Sequence, residues 1–163
     1  MRLVSIDPGF AQDGGTAFAQ WTDGVLTQAR LVRSTLWGVK VTGLDLWLRI
    51  AHEVSSAVGE DGSHAVIELP RTYGGRAKVG DANTLIQLGA LVGALANALA
   101  RSGAKVELIS VPKVPKSVTE GRVRAILSPA ELKLVDAAAP RSLRHNIYDA
   151  CGIGLRVQRR VAV

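Results

Sequence analysis

The chain has 163 residues and a formal net charge of +6, from 20 Lys and Arg side chains against 14 Asp and Glu. Its composition, 47% hydrophobic and 21% charged, is that of a globular domain and excludes a disordered or collagen-like chain. One cysteine excludes a disulfide framework and a zinc site of several thiolates. No uninterrupted apolar run approaches the roughly 18 to 20 residues needed to cross a bilayer, and no signal-peptide core is recognisable. We therefore expect one domain over residues 1–163, a cytoplasmic location and no membrane partner.

The charge is distributed unevenly along the sequence. Residues 1–70 carry five basic and eight acidic side chains, whereas residues 71–163 carry fifteen basic and six acidic ones. Fourteen of the cations are arginines, whose planar guanidinium can donate two hydrogen bonds to one phosphate group. The second half of the chain is therefore expected to carry a face that binds an anionic partner such as nucleic acid.

The first third of the chain predicts three strands and a helix. Asp-Gly turn signals, typical of antiparallel hairpins, separate apolar runs at residues 3–6, 15–21 and 25–32. From Thr42 the apolar residues recur every three or four positions, as on one face of a helix that ends at Gly59. The predicted apolar face consists of Leu44, Trp47, Leu48, Ala51, Val54 and Val58.

The rest of the chain predicts two more strands with helices between and after them. In order, the elements are a strand at residues 65–69, a basic glycine-rich loop, a helix at residues 81–102 capped by Asp81, a strand at residues 106–111, a short helix from Thr119 and a last helix from Ser142. This order is typical of an α/β fold. We expect a mixed five-stranded sheet, three antiparallel strands plus two parallel ones, with helices on both faces.

Small side chains form a stripe along the helix predicted at residues 81–102. Such a stripe lets another element approach closely, and we expect it to pack against the sheet. A seam between two copies of the chain is the alternative, because an isologous dimer would present two identical sites. The stripe and its apolar neighbours are Gly89, Gly93, Ala96, Leu88, Val92 and Leu95.

Three carboxylates occupy positions that the predicted fold brings toward one edge of the sheet. Asp7 ends the first strand before a Pro-Gly turn, and Glu68 lies in an otherwise apolar strand, where an unpaired buried carboxylate would be costly. Asp149 lies on the last helix, with His145 and Asn146 one turn before it. Carboxylates on two strands and a helix supply the hard oxygen ligands that a two-magnesium phosphodiesterase needs.

Each of these acids also has a purely structural interpretation. Asp7 could initiate the turn before Pro-Gly, and Glu68 could form an ion pair with an arginine at the strand edge. Asp149 and His145 could be solvated helix residues. The combination of the three acids favours the catalytic interpretation.

Several stretches of the sequence resemble one known family. Residues 3–9, followed by residues 15–17, resemble its first two strands, residues 65–68 its second acidic motif and residues 85–95 its glycine-containing helix. Residues 111–121 are similar to its proline, lysine and threonine-glycine segment, and residues 145–150 to its last acidic helix. The family is that of the RuvC-type Holliday-junction resolvases, of the ribonuclease H-like superfamily, and the resemblance covers nearly the whole chain.

The resemblance implies a homodimer that binds four-way DNA junctions in recombination and repair and makes paired, magnesium-dependent cuts with ligatable ends. It implies that Asp7, Glu68 and Asp149 bind two Mg²⁺ ions per site, with Mn²⁺ as a substitute and no nucleotide cofactor. The chain departs from the family at Asn146, where an acid or histidine is usual. The fourth ligand is then the amide oxygen of Asn146, the neighbouring His145, or water.

A nuclease must also hold phosphates near its own repulsive carboxylates, so we expect cations around the acids. Lys116 matches a lysine of the family and is the strongest candidate. Tyr73, on the basic loop, could stack on an unpaired base at the crossover or pack against its own loop. The other candidates, each of which could also be a solvated surface charge, are Arg71, Arg76, Lys78, Lys113, Arg122, Arg124 and Arg144.

Other functions fit some of the same residues. One is a RuvC-like nuclease for other branched DNA or for RNA, and another is a junction-binding protein without hydrolysis, which Asn146 makes conceivable. The Asp-Pro-Gly opening also resembles actin-type and sugar-kinase ATPase domains. Those proteins resemble two copies of this fold, which 163 residues cannot supply.

Overall fold

The computed structural model describes residues 1–9, 15–33, 35–36, 39–40, 43–58, 62–69, 79–110 and 116–158. Its strands are β1 (Arg2–Asp7), β2 (Gly15–Thr22), β3 (Val25–Arg33), β4 (Thr35–Leu36), β5 (Val39–Lys40), β6 (His64–Glu68) and β7 (Lys105–Ile109). Its helices are α1 (Gly43–Val58), α2 (Val79–Arg101), α3 (Lys116–Ile126), α4 (Pro129–Ala138) and α5 (Arg144–Val157), with a 3₁₀ helix at Arg141–Leu143.

Five of the strands form one sheet in the order β3-β2-β1-β6-β7. β1, β2 and β3 pair in antiparallel fashion, as the Asp-Gly turn signals predict, whereas β6 and β7 extend the sheet parallel to β1. The predicted mixed α/β sheet of three antiparallel and two parallel strands is therefore confirmed. The two-residue strands β4 and β5, which were not predicted, pair separately.

Side-chain alternation along the central strand β1 divides the core into two parts. Val4 and Ile6 belong to a buried cluster with α1 and α2 on one face of the sheet. Leu3 belongs to a second cluster on the other face, which α3, α4 and α5 cover, and the buried Ser5 lies on that same face. Helices therefore pack on both faces, and Asp7, at the end of β1, is in phase with Leu3 and Ser5.

The face of α1 that packs in the core differs from the predicted one. Leu44 and Leu48 are 61% and 53% exposed, although we expected them in the core. Six of the eight positions from residue 44 to residue 51 are apolar, so periodicity alone admits two different faces. Packing against both the sheet and α2 selects the face that contains Leu46, Ile50, Ala51, Val54 and Val58.

Two members of the small-residue stripe of α2, Gly89 and Gly93, do not pack in the core as expected, whereas Ala96 packs against the buried cluster beneath the helix. α2 begins at Val79, so Asp81 lies within its first turn and is not its N-cap. Gly89 and Gly93 are exposed, and a Cβ atom added at either would have no neighbour within 4 Å. The buried residues of the helix are Leu91, Val92, Leu95 and Leu99.

A buried carboxylate fastens α4 to the sheet. Ser128 caps α4, and Glu131 completes the capping box by accepting a hydrogen bond from the Ser128 backbone N–H at 2.8 Å. The same carboxylate accepts the backbone N–H of Leu26, on β3, at 2.8 Å. The side chain therefore satisfies donors on two elements that are 105 residues apart in sequence.

Replacing Glu131 by alanine is expected to lower the free energy of unfolding by about 2 to 4 kcal/mol, because it leaves the buried Leu26 N–H without an acceptor and removes the capping box. Chemical denaturation of the variant measures the loss. Lys133→Ala, at an exposed position of the same helix, is the matched control and should change stability by less than about 0.5 kcal/mol. Equal effects of the two substitutions would contradict this role of Glu131.

Candidate active site

Asp7 and Glu68 lie side by side at the carboxyl ends of two neighbouring parallel strands. The register pairs Ile6 of β1 with Ile67 of β6, so the next residue of each strand is adjacent across about 4.8 Å. Glu68 is in phase with Val66, which belongs to the core cluster beneath α5. Both carboxylates therefore lie on the face of the sheet that α5 covers, and both are partly exposed.

Asp149 lies near the same edge of the sheet, because α5 runs antiparallel to β1 across the face that it covers. Gly154 packs against Ser5, whereas Gln158 approaches the turn between β2 and β3, at the other end of the sheet. Asp149 precedes Gly154 by five residues, about 7.5 Å of helix rise. Asp7 follows Ser5 by two residues, about 7 Å of strand rise, so Asp149 lies at about the level of Asp7.

The donor set fits magnesium by its chemistry, since carboxylate oxygens are hard ligands. Within the part of the chain that the structure describes, however, no three His, Cys, Asp or Glu side chains stand close enough together to hold one metal ion. α5 lies mainly over β1 and β2, whereas Glu68 is on β6. The fold thus joins Asp7 with Glu68 and brings Asp149 to their level, and each of the three carboxylates already has a polar or electrostatic interaction.

His145 and Asn146 lie in the first turn of α5, four and three residues before Asp149. Both are partly buried, and both spacings place a side chain on the side of the helix that Asp149 occupies. Each stays a candidate for the fourth metal ligand.

The predicted DNA-binding residues fall into two groups. Five of them lie outside the described residues: Arg71, Tyr73, Arg76, Lys78 and Lys113. Lys116 begins α3, Arg122 and Arg124 are exposed on that helix, and Arg144 begins α5. α3 contacts α5, the helix that carries Asp149.

Two of these arginines are engaged in ion pairs. The Nε atom of Arg124 lies 2.9 Å from a carboxylate oxygen of Glu120, one turn earlier on α3. An Nη atom of Arg144 lies 2.9 Å from Asp136 on α4, and its Nε donates to the carbonyl of Ala139. All four side chains are partly exposed, so each pair contributes little to stability.

Tyr148 is a residue of this region that the sequence interpretation missed. It is 1% exposed, and the guanidinium of Arg124 lies over its ring, 5.0 Å from the centroid. Burial raises the pKa of Tyr148, and the charge of Arg124 partly opposes this shift. Its hydroxyl is buried and has no hydrogen-bond partner among the described residues. The signal available in the sequence was a tyrosine on the apolar side of the last helix. A Tyr hydroxyl that is buried usually has a hydrogen-bond partner, so such a position singles the residue out.

No protein-family model matches the sequence, and no curated protein matches it. Solved structures of resolvases do match. Thermus thermophilus RuvC has a TM-score of 0.56 at 19% identity, covering 98% of this chain and 97% of its own. The T. thermophilus RuvC complex with a Holliday junction substrate has a TM-score of 0.56 at 15% identity, covering 98% and 96%. The fowlpox virus Holliday junction resolvase has a TM-score of 0.56 at 11% identity, covering 99% and 100%. The chain therefore has the fold of the RuvC-type Holliday-junction resolvases.

Proposed function

We propose that this protein is a metal-dependent endonuclease that resolves four-way DNA junctions by paired cuts. The observation that carries the proposal is the adjacency of Asp7 and Glu68 at the sheet edge, beneath the helix that bears Asp149. The fold is the one found in a RuvC complex with a Holliday junction substrate. The excess of cations in the second half of the chain suits a DNA substrate.

In this proposal Asp7, Glu68 and Asp149 hold two Mg²⁺ ions, for which Mn²⁺ can substitute, and His145 or Asn146 supplies a further ligand. Bound Mg²⁺ would provide an activated water and charge neutralisation at the leaving oxygen. The three carboxylates repel a DNA phosphate, so the chain's own cations must hold the backbone in place. Arg122, exposed on α3, is one of the described residues suited to this role.

The test is a cleavage assay with a labelled four-way junction and a linear duplex of matched sequence, each with magnesium and with chelator. Paired symmetric nicks near the crossover that require magnesium would support the proposal. Cleavage of flaps or RNA but not of junctions would assign the same site to another branched substrate. Magnesium-independent junction binding without cuts would indicate a binding protein instead, the outcome that Asn146 makes conceivable.

We further propose that the protein is a homodimer whose two copies meet along α2. The segment Asn83–Arg101 is long and apolar enough to cross a membrane, yet only 22% of it is buried. Ile86 is 70% exposed, one turn before the open stripe of Gly89 and Gly93. An exposed apolar face on a helix whose other face packs in the core is suited to binding a partner surface. Glycines on that face let two helices approach closely. A two-fold axis there would give the two identical sites that paired cuts need.

Replacing Ile86 by glutamate is expected to raise the dimer dissociation constant at least about tenfold, because it places a charge in an apolar seam. Analytical ultracentrifugation measures the change, and the variant should nick junctions singly. Leu44→Glu is the matched control, since Leu44 is an equally apolar, exposed residue on α1. A wild-type monomer, or a dimer that only Leu44→Glu disrupts, would contradict the seam. Flotation of the wild type with liposomes would assign the α2 face to a membrane surface instead.

A further inference from the structure

Two ion pairs flank a buried phenol between α3, α4 and α5. The Arg124 guanidinium, paired with Glu120, lies over the Tyr148 ring, and the charges of Arg144 and Asp136, themselves an ion pair, also act on the pKa of the phenol. Arg124 also lies within electrostatic reach of Asp136. These five residues, here termed the Tyr148 cluster, come from three helices and are separate from the carboxylates at the sheet edge.

The hydroxyl of Tyr148 is the unusual member of the Tyr148 cluster. It is a buried donor without a hydrogen-bond partner in the described structure, although buried polar atoms are nearly always hydrogen-bonded. The two arginines beside it are held by partly exposed carboxylates, which an anionic ligand can replace at small cost. Arg124 donates to Glu120 through Nε, and a guanidinium has further N–H donors, on its two Nη atoms, with which it can bind a phosphate.

We propose that the Tyr148 cluster binds one phosphodiester group of the DNA backbone. In the bound state, phosphate oxygens replace Glu120 and Asp136 as acceptors for Arg124 and Arg144, and the Tyr148 hydroxyl donates to the same phosphate. Glu120 and Asp136 then occupy the anion site in the absence of DNA. This inference rests on the proposed function only in taking DNA as the source of the phosphate.

The position of the cluster suits a phosphate that lies close to the candidate active site. Tyr148 precedes Asp149 in sequence, and Arg144 begins the helix that carries both. A phosphate held there would fix the DNA strand relative to α5, and with it relative to the carboxylates at the sheet edge. Tyr148 and the two arginines are therefore assigned as substrate-positioning residues and not as catalytic ones.

The proposal predicts whether each substitution weakens or tightens junction binding. Fluorescence anisotropy measures this affinity, with chelator present so that no strand is cut. Arg124→Gln should weaken binding roughly fivefold and reduce the salt-dependence slope by about 1. Tyr148→Phe should weaken binding about threefold, the value of one hydrogen bond, without lowering thermal stability. Glu120→Gln should tighten binding about twofold, because it removes the competing carboxylate.

Arg2→Gln is the matched control, since Arg2 is an exposed arginine at the opposite end of β1. If the cluster only fastens the helices together, Glu120→Gln and Arg124→Gln will lower stability and leave binding unchanged, and the proposal is wrong. A loss of stability in Tyr148→Phe with normal binding would contradict it equally. A wild type that binds no DNA of any form would instead overturn the proposed function.

A second measurement observes the phenol directly. The chain has two tyrosines, so the Tyr73→Phe variant labelled with 3-fluorotyrosine gives one ¹⁹F resonance, that of Tyr148. The proposal expects this resonance to shift on addition of a short DNA duplex, and to need roughly fivefold more DNA for the same shift when Arg124→Gln is added to the variant. A shift with inorganic phosphate but not with DNA would identify a free-anion site and overturn the assignment to the DNA backbone. No shift with DNA that binds would overturn the proposal itself.

Discussion

Asp7→Asn is expected to reduce junction cleavage by on the order of a thousandfold while leaving the fold intact, since losing one metal ligand costs several kcal/mol of transition-state stabilisation. Asparagine has the size of aspartate but lacks its charge, and the backbone of β1 keeps its pairing with β2 and β6. The substitution also removes a negative charge beside Glu68. Junction affinity should therefore be unchanged or higher, because the site repels phosphate less.

Single-turnover cleavage measures this effect, with anisotropy for affinity and circular dichroism for the fold. Asp45→Asn is the matched control, since Asp45 is an exposed aspartate in the first turn of α1. This variant should cleave junctions like the wild type. Glu68→Gln should behave like Asp7→Asn, because the two carboxylates adjoin. Full activity in either variant would contradict the assignment of this sheet edge as the active site.

Gly154→Ala is expected to lower the free energy of unfolding by about 3 kcal/mol, through overpacking and the loss of a buried hydrogen bond. Gly154 lies where α5 crosses β1 and β2. A Cβ atom there would fall on the indole nitrogen of Trp21 and lie 2.7 Å from the Ser5 hydroxyl. These two atoms form a buried hydrogen bond of 3.1 Å, which the added methyl group would separate.

Thermal or chemical denaturation measures the loss for Gly154→Ala. Gly121→Ala is the matched control, because Gly121 is also in a helix but has open space where its Cβ would be. That substitution should stabilise the protein by about 0.5 to 1 kcal/mol through helix propensity. Since α5 also carries Asp149, the Gly154 variant should lose cleavage activity before it unfolds. Similar stability in the two variants would contradict the close crossing.

The sheet was predictable from sequence because its signals are local. Asp-Gly turns and short apolar runs fix the three hairpin strands, and the apolar run around Glu68 marks the first parallel strand. The position of Asp7 was predictable for the same reason, since it ends a recognisable strand. Glu68 was expected inside the strand at residues 65–69 and is instead the last residue of β6. The fold then pairs β1 with β6 in parallel and places these two acids at adjacent positions.

The buried and exposed faces of the helices were harder to predict, because they depend on contacts distant in sequence. Leu44 and Leu48 satisfy the same periodicity as Leu46 and Ile50, and only the packing of α1 decides between them. The buried acceptor role of Glu131 depends on Leu26, 105 residues away. Likewise, the environment of Tyr148 is assembled from three helices, and no spacing within the chain encodes it.

The central position of β1 also determines how the candidate site can move. β1 is hydrogen-bonded to β2 on one side and to β6 on the other, so local opening of this strand is as costly as opening the sheet itself. Asp7 and Glu68 therefore form a fixed pair, whereas Asp149 belongs to a helix that packs on the sheet and is not one of its strands. Small sliding of packed helices is a common mode of closure, and here it would bring the third carboxylate toward a rigid pair without deforming a strand. The slowest amide exchange should then fall on the strand that carries Asp7, and the ligand-dependent change on the helix that carries Asp149.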